Sequence, residues 1–163
     1  MWFYYIIVLL VIACDFASKA LIMSSLSFSS QSIHVLPCLN LVYVLNKGIS
    51  FSMLQNWGPV SLIILTATIT LTVAYCLHKD ASFLGKIALA LILGGAVGNL
   101  IDRIRFGGVV DFLDFHIGSY HWPAFNIADS AICLGVLLLL YQMIMYPIKE
   151  SKKVTFTKKK GDK

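Results

Sequence analysis

Four aspartates, Asp102, Asp111, Asp114 and Asp129, fall within 28 residues of a chain that carries only eight acidic residues in all. Two carboxylates held close together share a proton, because ionising both is electrostatically costly. Such a dyad can activate water with one member and protonate a leaving amine with the other. Asp111 stands out for its neighbours: it interrupts the apolar, β-prone run Val109-Val110-Asp111-Phe112-Leu113. Partial burial in such a run raises a carboxyl pKa. Asp129 has two readings. Asn126 reads as the N-cap of a following helix, which makes Asp129 its third residue, where negative charge suits the helix dipole. The same carboxylate is also placed to join a dyad.

Other polar residues near these aspartates are candidates for support. Asp15 and Lys19 are spaced i, i+4 in an apolar segment, as a mutually neutralising pair would be, and Asp15 is also placed to reach a polar site. Asp102-Arg103 reads as a possible ion pair, and Arg103 and Arg105 suit a helix C-terminus. Asn46 and Asn99 carry amides suited to orienting a carboxylate or binding a peptide. Other chemistries find less. There is no H-E-x-x-H, no acidic residue separates His116 from His121, and no G-x-S-x-G occurs. Cys14, Cys76 and Cys133 lie in apolar segments and Cys38 stands alone, giving neither a disulfide framework nor C-x-x-C metal spacing. No metal or organic cofactor is expected.

The elements that must position these groups are long and apolar. The chain has 163 residues, 58% apolar and 13% charged, about half the charge of ordinary soluble domains. Segments at about 2–23, 59–77, 83–101 and 127–146 are each long enough to cross a bilayer, which takes about 20 helical residues. The expectation is one polytopic membrane domain, 1–148, followed by a tail, 149–163. That tail holds seven lysines against Glu150 and Asp162, so it accounts for the whole +5 net charge. The remainder is neutral, six basic against six acidic residues, which gives no support to nucleic-acid binding. Basic segments beside spans stay in the cytoplasm, which puts both termini inside and the loops 24–58 and 102–126 outside.

Within the first loop, Ile33-His34-Val35-Leu36 and the run Leu39 to Leu45 are rich in β-branched and aromatic residues, separated by Pro37. They read as a hairpin or bent strand pair, followed by a turn at Asn46-Lys47-Gly48. Gly94-Gly95-Ala96-Val97-Gly98 places small residues four apart inside a span, which permits close helix packing. Val11-Ile12-Ala13-Cys14 resembles a lipobox, the sequence at which bacterial lipoproteins are lipidated and cut. No Lys or Arg precedes the apolar run and three spans follow, so the first segment is expected to remain as a helix.

Taken together, these residues resemble the bacterial lipoprotein signal peptidase (signal peptidase II) family over about residues 5–146. Five motifs in order carry the resemblance: Asp15 to Lys19 (DFASK), Asn46-Lys47-Gly48-Ile49-Ser50-Phe51, the stretch Gly94 to Arg103, Val109-Val110-Asp111-Phe112, and Phe125-Asn126-Ile127-Ala128-Asp129-Ser130. The resemblance implies a mainly α membrane enzyme with four transmembrane helices. It also implies a small extramembrane β-element formed largely by the first outer loop. Its activity would be that of an aspartic endopeptidase, cutting diacylglyceryl-modified prolipoproteins on the amino side of the lipidated cysteine. Asp111 and Asp129 would be the dyad, with Asp15, Asn46, Gly48, Phe51, Asn99, Asp102, Arg103 and Asn126 in support. Ile49-Ser50 departs from the two alanines usual in the family. A monomer in the bacterial inner membrane is expected, with its site near the outer face and membrane lipids as its other partners.

Two other functions compete. A proton-coupled transporter also uses intramembrane carboxylates, but it predicts midplane charges and related halves of the chain, whereas these acids cluster and no internal repeat is visible. A non-catalytic lipid-binding protein would tolerate loss of the dyad charge.

Overall fold

The computed structural model describes residues 1–26, 32–48, 58–79 and 82–161, with side chains as far as residue 145. Among the described residues four helices are long and apolar enough to cross a membrane: α1 (Trp2–Leu26), α2 (Gly58–Lys79), α3 (Phe83–Phe106) and the Ile127–Met145 part of α4 (Ile127–Gly161). Between them lie β1 (Ile33–Leu36), β2 (Leu39–Asn46), β3 (Val109–Ile117) and β4 (Tyr120–His121). The helix α3 is the centre of the bundle and packs on α1, α2 and α4. Of its most apolar window, 61% is buried, against 28% or less for the other three, whose apolar surfaces are left for lipid.

Small residues allow that central position. A Cβ added to Gly94 would lie 2.8 Å from Cβ of Val11 in α1, and one on Gly135 of α4 would lie 2.6 Å from the Ala88 carbonyl of α3. Gly95 faces the Ala128 carbonyl of α4 more closely still. The sequence therefore trades side-chain volume for backbone approach, the usual route to helix association in lipid. Polar residues in α2 are satisfied locally: Thr66, Thr68, Thr70 and Thr72 each donate their hydroxyl to the carbonyl four residues back, at 2.7–2.9 Å.

Both ends of α3 are set by local chemistry. Ser82 caps its start by accepting the Gly85 N–H at 2.9 Å. Its end lies five residues beyond the expected Ile101, so Asp102, Arg103 and Arg105 are helical and not part of a loop. The helix runs on until Gly107, whose φ of 68° allows the left-handed turn and whose N–H bonds the Arg103 carbonyl at 3.0 Å.

The strands form one antiparallel sheet in the order β1-β2-β3-β4. The hairpin expected around Pro37 is present as β1 and β2. The segment between α3 and α4 adds β3 and β4, so both inter-helix segments build the sheet. Phe112 of β3 anchors it to the bundle, packing with Ile22 and Leu26 of α1 and Ile127 of α4. On one face a row of polar side chains crosses all four strands. His34 Nδ1 meets Asn40 Oδ1 at 2.7 Å, Asn40 donates to Asp114 at 3.0 Å, and His121 Nδ1 lies 2.8 Å from Asp114.

Candidate active site

The β2–β3 register places Val44 opposite Asp111 and Asn46 opposite Val109. Asn46 and Asp111 are therefore diagonal neighbours on one face, within reach of a long polar side chain. The first turn of α4 arrives beside them, held by a backbone bridge between Leu113 and Phe125. There Asn126 and Asp129 form a reciprocal cap: Asn126 Oδ1 accepts the Asp129 N–H at 2.9 Å, and Asp129 Oδ2 accepts the Asn126 N–H at 3.3 Å. The cap read from the sequence is thus real, and it does not exclude the second role.

Three asparagines point their amide groups at the two carboxylates, and in each case an obligate donor fixes which end faces which way. The Asp129 N–H holds Asn126 Oδ1, so Asn126 Nδ2 faces Asp111 Oδ1 at 2.8 Å. The Gly48 N–H holds Asn46 Oδ1 at 3.0 Å, so Asn46 Nδ2 faces Asp111 Oδ2 at 2.9 Å. The Lys19 ammonium lies 3.3 Å from Asn99 Oδ1, so Asn99 Nδ2 faces Asp129 Oδ1 at 2.7 Å. Backbone N–H groups and ammonium can only donate, and the amide must answer with its oxygen. Asn126, fully buried, touches both members of the pair and also lies 3.3 Å from Asn99 Oδ1 and the Val110 carbonyl.

Behind the pair lies a buried ionic cluster. Lys19 Nζ sits 2.7 Å from Asp15 Oδ2 and 2.8 Å from Asp102 Oδ2. Asp15 reaches on to accept the Ala128 N–H at 2.9 Å, and Asp102 accepts the Val110 N–H at 3.2 Å. One cation thereby ties α1, α3, β3 and the start of α4 together. Gly98 makes room for this, since an added Cβ would lie 2.7 Å from Asp15 Oδ2. Lys19 was expected only to neutralise Asp15; its second partner and its bond to Asn99 make it part of the site. The i, i+4 spacing was its signal, but nothing in the sequence showed Asp102 as the other partner.

Two further expectations change. Asp102 pairs with Lys19 and not with Arg103, whose guanidinium instead donates to the Gly48 carbonyl at 3.3 Å. Arg103 lies within electrostatic reach of Asp129, Asp111 and Asp102. Asp114 does not converge with the dyad: it belongs to the polar row on the sheet. Burial works against its charge, but hydrogen bonds from His121 and Asn40 prevail and hold its carboxyl below the ordinary value. Asp15, Asn46, Gly48, Asn99, Asp102, Arg103, Asp111, Asn126 and Asp129 thus come together. Phe51, with Ile49 and Ser50, lies outside the described residues.

The electrostatics favour a retained proton. Four carboxylates, those of Asp15, Asp102, Asp111 and Asp129, share this network with two cations, Lys19 and Arg103. Burial pushes Asp111 up to about 6, and the Asp129 charge adds to that, against the opposing hydrogen bonds of Asn46 and Asn126 and the Lys19 charge. A carboxyl raised in the folded state stabilises the fold through its bound proton. That contribution is complete below about pH 4 and is lost as pH rises through about 6. Wild-type protein should therefore lose up to ~3 kcal/mol between pH 4 and 7 relative to Asp111→Asn. Thermal unfolding of both across that range measures the difference, and parallel curves would refute it.

The family model for signal peptidase (SPase) II matches residues 7–145. A lipoprotein signal peptidase of Syntrophotalea carbinolica is 49% identical over 140 residues, covering 83% of this chain and 86% of that protein. Lipoprotein signal peptidases of Francisella tularensis subsp. novicida and Geobacter metallireducens are each 44% identical over 143 residues, covering 84% and 85% of this chain and 88% of each relative. A solved bacterial membrane enzyme superposes with a TM-score of 0.80 at 32% identity, over 89% of both chains. A second bacterial membrane enzyme gives 0.77 at 33%, covering 88% of this chain and 93% of its own. With its matched motifs gathered into one hydrogen-bonded site, this chain belongs to the signal peptidase II family.

Proposed function

We propose that the protein removes signal peptides from prolipoproteins by aspartic catalysis, cutting on the amino side of a cysteine that already carries diacylglycerol. The observation that carries this reading is one fully buried asparagine, Asn126, bonded to both Asp111 and Asp129. Asp129 takes a proton from water, whose oxygen adds to the scissile carbonyl carbon. Asp111, raised by burial, holds the shared proton and delivers it to the leaving amine as the C–N bond breaks. Asn46, Asn99 and Asn126 keep the carboxylates aimed while their charge changes hands.

The site lies where β3 and the ends of α1, α3 and α4 meet, at one end of the bundle. A substrate anchored by lipid is presented at that depth, which supports the lipid-modified cysteine as its recognition element. The lysines of 149–163 support an orientation with both termini cytoplasmic and the site near the outer face of the inner membrane. We read residues 1–148 as one peptidase domain, acting as a monomer.

Purified enzyme is to be given a lipobox peptide in diacylglyceryl-modified and unmodified forms, with products sequenced by mass spectrometry. The expected result is at least about tenfold lower kcat/KM for the unmodified peptide, one pocket contact's worth or more. The product should begin at cysteine. Equal rates would remove lipid recognition from the proposal, and a cut elsewhere would remove the cleavage site.

A further inference from the structure

A cleft separate from the dyad opens between α1 and α3 at the site end of the bundle. Phe16, Ala20 and Met23 of α1 form one wall and Arg105 and Phe106 of α3 the other, with the Lys19–Asp102 ion pair at the back. Its cavity volume is about 200 Å³. Phe16 is 52% exposed, so the cleft faces the surface that the spans present to lipid.

Arg105 is the unusual member. Its guanidinium carbon lies over the Phe16 ring at 5.5 Å and over the Phe106 ring at 4.9 Å. Cation–π contact with two rings holds the guanidinium in place and leaves N–H groups for acceptors. Among the described residues it makes no hydrogen bond or ion pair. Among the described residues no carboxylate is left for it. Asp15 and Asp102 are held by Lys19, Asp111 and Asp129 by asparagines, and Asp114 by Asn40 and His121.

We infer that this cleft binds an anionic glycerophospholipid, its phosphate on Arg105 and an acyl chain along Phe16, Ala20 and Met23. Charge complementarity supports the occupant: a planar guanidinium in the last turn of a span meets a phosphate at headgroup depth and binds it through two N–H groups. The carboxylate in the wall, Asp102, is already neutralised by Lys19 and does not repel the lipid. The diacylglyceryl group of a substrate has no charge to offer Arg105, which sets this cleft apart from substrate binding. The inference does not depend on the peptidase reading.

The test is lipid retention by native mass spectrometry of the full chain in detergent, with phosphatidylglycerol and phosphatidylcholine of matched chains. Wild type should retain phosphatidylglycerol at least about fivefold over phosphatidylcholine, a difference typical of one charge-assisted contact. Arg105→Gln should lose that preference, Arg105→Lys should restore part of it, and Ala20→Phe should lower retention of both lipids by filling the cleft. No preference in wild type, or preference surviving Arg105→Gln, would overturn the inference. Unchanged binding in Ala20→Phe would overturn the cleft as the seat. Displacement of phosphatidylglycerol by one equivalent of diacylglyceryl peptide would overturn it in favour of a substrate channel.

Discussion

Asp111→Asn and Asp129→Asn should each lower cleavage of a diacylglyceryl-modified preprotein by about 10³-fold or more, the scale set by losing a positioned acid or base. Asp114→Asn should stay close to wild type. The contrast is sharp because Asp111 and Asp114 lie three residues apart on one strand. Their partners differ. Asp111 takes amide donors from Asn46 and Asn126, the residue that also caps Asp129. Asp114 takes its donors from Asn40 and His121 on the sheet. The double variant should be no slower than either single one, because groups that act as a unit are not additive. Single-turnover cleavage by purified variants, each checked for cooperative thermal unfolding, makes the measurement. Substantial turnover by either single variant would end the dyad assignment.

Lys19→Met should destabilise the protein by about 3–5 kcal/mol, the usual cost of stripping one partner from a buried ion pair. Here two buried carboxylates, Asp15 and Asp102, would lose their cation at once. Adding Asp15→Asn and Asp102→Asn to the same chain should recover most of the loss, since the buried charges are then gone. Unfolding in detergent reads both effects. A loss under about 1 kcal/mol for Lys19→Met would place the pair among weak surface-type bridges. Whatever fraction stays folded should also cleave slowly, because the Asn99 amide loses the ammonium that orients it toward Asp129.

What the sequence displayed, it displayed through local patterns. The four spans are long apolar runs, the hairpin is bracketed around Pro37, and the cap at Asn126 needs only a residue three positions on. The apolar run of α3 stops at Ile101, but the helix continues to Phe106, with Arg103 and Arg105 in its last turn as their charge suggests. Asn99 lies 80 positions from Lys19, and no short-range pattern could join them. The separation of Asp111 from Asp114 depends on strand register, with Val44 opposite one and Asn40 opposite the other. Asn46 and Asn99 are legible as amides suited to orienting a carboxylate; the register and the Lys19 contact decide which carboxylate each one faces.

The Lys19 cluster also bears on how the chain enters the bilayer. Segments leave the ribosome in order, so α1 must insert before Asp102 has been made. Asp15 and Lys19, one turn apart on the same helix, let α1 carry its own counter-ion into lipid. When α3 follows, Asp102 closes on an ammonium already in place, and the Gly98 gap lets the two helices meet around it. The same lysine that later orders the site is in this sense the escort that carries Asp15 into the bilayer.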